Sequence, residues 1–144
     1  MDNYWQSIHG QPKYNTWCGL AFERVCFAHI EQIKSKLGIS GVLTGVYSWR
    51  CEADENAGHG GVQIDMLIDR NDGVIDLCEM KYSDAEYLIT SSYANEMVRK
   101  RSVFQLVSKT SKAIHLVLVT TQGIAAGAYC YTVQASIVLD DLFG

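Results

Sequence analysis

The chain has 144 residues, 48% of them apolar, a length and composition suited to a single globular domain. A formal net charge of −4 excludes a general electrostatic pull on nucleic acid, so any such binding needs a local basic patch. Five cysteines, an odd count with no CxxC pair, argue against a disulfide framework or a zinc ribbon and read as buried, reduced thiols of a cytosolic protein.

Residues 1–15 are polar with scattered aromatics and hold the single proline, Pro12. They read as an arm or connector ahead of a domain spanning 16–144. No apolar h-region stands in this stretch and no apolar run reaches membrane-spanning length, so neither a signal peptide nor a membrane contact is expected. A helix is expected over 17–37. Asn15 or Thr16 can cap it, Gly38 can end it, and Phe22, Cys26, Ile30, Ile33 and Leu37 form its apolar stripe. Residues 42–50 suit a strand. A polar, glycine-rich loop with His59 follows, then strands at about 62–70 and 74–82. A helix at roughly 92–109 leads to a buried strand at 113–121. A last strand near 129–134 and a short turn at LDDLF close the chain. The order helix, three strands, helix, strand predicts an α/β domain with a mixed sheet and helices on both faces.

The stretch GVQIDMLIDRNDGVIDLCEMKYS carries acid where a plain core strand would not. Asn71-Asp72-Gly73 suits a three-residue hairpin loop with Gly73 in the left-handed position. In that register Asp65 lies opposite Glu79, Gln63 opposite Lys81 and Leu67 opposite Leu77 on one face. Ile64 and Met80, then Met66 and Cys78, pair on the other. Facing Cβ atoms lie about 4.5–5.5 Å apart, so the two carboxylates conflict. Either one takes a proton or a cation sits between them. Oxygen donors without His or Cys favour Mg²⁺ or Mn²⁺. Lys81 is expected on the same face, placed to orient or deprotonate a water and to stabilise charge developing on a phosphodiester.

Asp65, thirteen intervening residues, then Glu79-Met80-Lys81 resembles the catalytic signature of the PD-(D/E)XK nuclease superfamily. That resemblance implies a restriction-endonuclease-like αβββαβ core, and an acid on the first helix, here Glu23, often completes such a site. WCGLAFERVC, HIEQIKSKLGISGV, the hairpin stretch and SIVLDDLF are also similar to the C-terminal nuclease-like domain of a bacterial and archaeal family of AAA-type ATPases. The resemblance implies a cytoplasmic Mg²⁺- or Mn²⁺-dependent phosphodiesterase of deoxyribonuclease type. Asp65, Glu79 and the Met80 carbonyl would bind the ion, helped by Glu23. It further implies DNA as the partner and an ATPase domain in the same or a parent chain. The sequence departs from the pattern in two ways. Ile64 stands where a proline would precede Asp65, and no Walker A loop is present, so this chain alone is not expected to use ATP.

Plainer readings stand beside these. Asp65 and Glu79 can be solvated strand residues, Lys81 a simple partner for Glu79, Glu23 a solvated helix acid and His59 a loop residue. Arg99, Lys100, Arg101, Lys109 and Lys112 can bind phosphates or form a solvated face. Gln105 is a candidate polar site residue on the same helix. Tyr47 and Trp49 read first as packing. Tyr4 and Trp5 in the arm can fold back on the core or bury against a second copy, as in a homo-oligomer. The rival function is a catalytically silent nuclease-fold domain that couples an ATPase to a partner.

Overall fold

The computed structural model describes residues 12–144. Three helices, α1 (Pro12–Ala28), α2 (Ile30–Lys36) and α3 (Ser91–Ser108), flank a sheet of β1 (Thr44–Cys51), β2 (Val62–Arg70), β3 (Val74–Lys81), β4 (Ala113–Thr120) and β5 (Ala135–Val138). The strands lie in chain order. β1, β2 and β3 pair antiparallel, and β4 and β5 add on in parallel. The α/β class and the mixed sheet follow the sequence expectation.

One side of the sheet packs Met66, Ile68, Cys78, Met80, Val117 and Val119 against Phe22, Cys26 and Ile33 of α1 and α2. The other packs Ile64, Leu67, Leu77 and Leu116 against Met97, Val103 and Phe104 of α3. Both faces are therefore covered, which explains why β2 and β3 read as nearly continuous apolar runs. Trp49 of β1 meets Phe104 edge to face, with ring centroids 5.0 Å apart, so its primary role is packing. Tyr47 stays exposed. Phe104 is 2% exposed. Phe104→Ala is expected to cost about 3–5 kcal/mol in urea-unfolding experiments, because it opens a cavity under Trp49.

Several expected boundaries move. α1 already includes Pro12–Asn15, so the arm's expected limit at 15 falls inside a helix, and Asn15 and Thr16 lie within it rather than ahead of it. Tyr4 and Trp5, expected to fold back on the core or bury against a second copy, lie outside the described residues. The single 17–37 helix is two, interrupted at His29, whose φ of −120° leaves the helical region. Its Nδ1 lies 2.7 Å from the Val25 carbonyl, competing for a helix acceptor, and its ring sits edge-on to Phe143. The far end behaves as expected. Gly38, at φ +76°, closes α2, with Gly38 N–H donating to Ser35 O and Ile39 N–H to Lys34 O. The last strand lies at Ala135–Val138 rather than 129–134, where Cys130–Thr132 form a 3₁₀ turn. All five cysteines are free; Cys18, Cys26 and Cys78 are buried, and burial pushes the Cys26 thiol up to about 12.

The hairpin has the expected three-residue loop, with Gly73 at φ +89°. Arg70 fastens it with 2.7 and 3.2 Å ion pairs to Asp72 and the buried Asp76. Residues Met66 to Asp69 pair with Cys78 to Ile75 in the predicted register.

Candidate active site

The ladder between β2 and β3 stops at Met66 and Cys78, one residue short of Asp65 and Glu79. The expected pairs of Gln63 with Lys81 and Ile64 with Met80 are not part of it. β1 supplies the reason. Tyr47 pairs with Leu67 but Trp49 with Ile64, so Asp65 and Met66 together stand opposite Ser48. That is a β-bulge, and it re-aims the side chains around it. Ile64 joins the α3-side core while Met66 joins the α1 side.

The bulge corrects the expectation that Asp65 and Glu79 share one face. Asp65 lies on the α1 side, where it lines a groove of about 440 Å³ with Glu23, Arg24, Ser48 and Gln63. Glu79, between Cys78 and Met80 of the α1-side core, takes the α3 side and meets Lys100. The carboxylates nonetheless close the same gap. Asp65 N–H donates to Glu79 Oε2 at 2.9 Å, and Met80 N–H donates to Asp65 Oδ2 at 2.9 Å. Side-chain oxygens thus replace the ladder carbonyls where the strands part, as buried backbone donors require. An extended residue presents its N–H and C=O to the same neighbouring strand, so the Met80 carbonyl faces this gap too.

Electrostatics tie Glu23 into the cluster. Partial burial, a hydrogen bond with the Asp65 carboxyl, and the charges of Asp65 and Glu79 push Glu23 up to about 7, against a smaller pull from Lys81. Burial and Asp65 also raise Glu79, while Lys100 holds it down. Glu23 therefore keeps a proton to near neutrality and donates it to Asp65. Because its folded value exceeds the ordinary 4.5, its stabilisation is full below that pH and is lost as pH rises to about 7. In chelator-treated buffer, Glu23→Gln is expected to flatten the stability–pH curve in this window. The change, discounted for exposure, is on the order of 1 kcal/mol. A thermal-melt series from pH 4 to 8 checks it.

Lys81 does not pair with Glu79. Its Nζ lies 5.0 Å from the Tyr93 ring centroid on α3. Lys100 takes the Glu79 Oε1 instead. The expected basic cluster is dispersed. Arg99 binds Glu96 and the Gly61 carbonyl, and Lys112 binds Asp69 and the Arg70 carbonyl. Lys109 is the left-handed end of α3, Arg101 is half-buried, and Gln105 is exposed on α3 away from the cluster. His59 bridges Asp54 in the loop and lies outside the site. The reading of Lys100 as a phosphate contact is thus replaced by a tie to Glu79. Its signal was present in the sequence, because Tyr93, Met97, Lys100 and Phe104 share one helical stripe, which makes Lys100 a charge on a core-facing side.

Three carboxylates and a strand carbonyl are hard oxygen donors, the set that Mg²⁺ or Mn²⁺ takes. The charges of Asp65 and Glu79 push Glu23 up, and a cation among the three would relieve that repulsion. The donor set fits such an ion chemically. In geometry, no three His, Cys, Asp or Glu side chains converge as a ready metal-binding group among the described residues. Both Glu79 oxygens are engaged, by Lys100 and by the Asp65 N–H.

No family model matches the chain, and no curated protein does. Among solved structures it is similar to a crystal structure described as a protein of unknown function, AF1548. Sequence identity is 16% and the TM-score 0.50, over 82% of this chain and 64% of that one. The likeness is one of fold. The chain spans 64% of that protein's length, and the description assigns it no activity. Among the described residues, no helix is long and apolar enough to cross a membrane.

Proposed function

We propose that this chain is a metal-dependent nuclease of the PD-(D/E)XK type with a restriction-endonuclease-like core, acting on DNA. The observation that carries the reading is the meeting of Asp65 and Glu79 in the gap between β2 and β3, cross-bonded to each other's strands. Glu23 and Lys81 lie within electrostatic reach. Asp65, Glu79 and the Met80 carbonyl would hold Mg²⁺ or Mn²⁺, with Glu23 beside them. A cation bound there would supply charge to polarise the phosphodiester and stabilise its transition state. Glu23, an acid beside Asp65, is suited to orient the attacking water. Lys81 would supply an ammonium to stabilise negative charge developing on the phosphate oxygens. The resemblance to an ATPase's C-terminal domain extends the proposal to a cytoplasmic ATPase partner in the same or a parent chain.

Incubating the protein with plasmid, linear and branched DNA and with RNA, each with Mn²⁺ or with chelator, tests the reading. Mn²⁺-dependent cleavage of DNA is expected. Intact substrates under every condition would instead favour the second reading, a silent nuclease-fold domain that couples an ATPase to a partner. The specific support for that reading is the Lys100–Glu79 ion pair, which occupies an oxygen the ion would need.

A further inference from the structure

We propose that Lys100 is the resident counter-cation of the acid cluster, a built-in gate that a divalent ion must displace from Glu79. The inference rests on the metal-site reading above and adds a control element to it.

The placement is unusual for a lysine. Its stripe on α3 is otherwise core-facing: Met97 and Phe104 are 1% and 2% exposed. Lys100 reaches from that stripe to a carboxylate whose side chain is only 3% exposed. An ionised carboxylate that deep needs a partner, and burying both charges is favourable only when their geometry is well satisfied. Lys100 takes Oε1 and the Asp65 N–H takes Oε2, so both Glu79 oxygens have a partner. Lys81, the signature lysine, is not the partner; it stands over Tyr93. The two lysines thus divide the work. Lys81 stands against Tyr93, and Lys100 is the cation that neutralises Glu79. A divalent cation that binds Glu79 must take an oxygen from Lys100 and tolerate a positive charge close by, which weakens its binding.

The test measures binding, with Mn²⁺ alone as the probe, by titration calorimetry and thermal shift. Lys100→Met keeps the length of the stem and suits the apolar stripe. It is expected to bind Mn²⁺ about tenfold or more tightly than wild type. Its chelator-treated form is expected to melt lower, because Glu79 has lost its partner, and Mn²⁺ should raise its melting temperature more than that of wild type. Lys100→Gln still donates to Glu79 but carries no charge, and is measured alongside should Lys100→Met fail to fold. It too should bind more tightly, whereas Lys100→Arg should not. Equal or weaker Mn²⁺ binding in both neutral variants, with wild-type binding intact, overturns the gate and leaves the nuclease reading standing. Tight binding in the neutral variants with none in wild type supports the gate and removes the nuclease reading for the native chain. No binding in any variant overturns both.

Discussion

Asp65→Asn is expected to lower Mn²⁺-dependent DNA cleavage by about 10³-fold or more, since it removes a charge from the ion's donor set while leaving the strands in place. The choice of asparagine matters. The Asp65 carboxylate accepts from Met80 N–H, and alanine would orphan that donor at a cost of about 1–3 kcal/mol. Asp65→Ala should therefore lose both activity and stability, and only the asparagine variant separates the two. Glu79→Gln follows the same logic, because it can still accept from Asp65 N–H. Both variants should also lose the Mn²⁺-induced rise in melting temperature. Plasmid cleavage timed against a melting curve makes the comparison. Activity within tenfold of wild type in Asp65→Asn would end the proposed mechanism.

Lys81→Met is expected to retain Mn²⁺ binding but to cleave about 10²–10⁴ times more slowly, the range typical of a lost positioned charge or proton-transfer group. The loss should fall on kcat rather than on KM, as for an interaction made in the transition state. Methionine keeps the stem over Tyr93, so the stability change should reflect only the lost cation–π contact, about 0.5–2 kcal/mol. Full activity would show that Lys81 is an ornament of the Tyr93 ring. Reduced Mn²⁺ affinity together with reduced rate would place it in ion binding instead.

The parts legible in the sequence are those that depend on neighbours along the chain. Asn71-Asp72-Gly73 set the hairpin because turn chemistry is local, and a three-residue loop leaves one register open. Gly38 stopped α2 because only a residue at ease with positive φ closes a helix in that way. The stripe of Phe22, Cys26 and Ile33 marked the buried side of the first helical segment despite the break at His29. Asp65, Glu79 and Lys81 could be named from residue type and spacing, and Glu23 from the resemblance. How they sit relative to one another could not. The bulge at Asp65 exists because β1, some twenty residues upstream, pairs with β2 in two registers. It moves Asp65 to the α1 side and ends the β2–β3 ladder, so carboxylates serve as backbone acceptors. Lys100 reached Glu79 rather than phosphate because α3 lies over the sheet face that Glu79 enters, and a buried charge takes the nearest counter-charge. Residue types set which charges this chain carries, since each is chosen position by position. The packing of strands and helices distant in sequence decided which of those charges meet, because only a folded chain brings them within reach of one another.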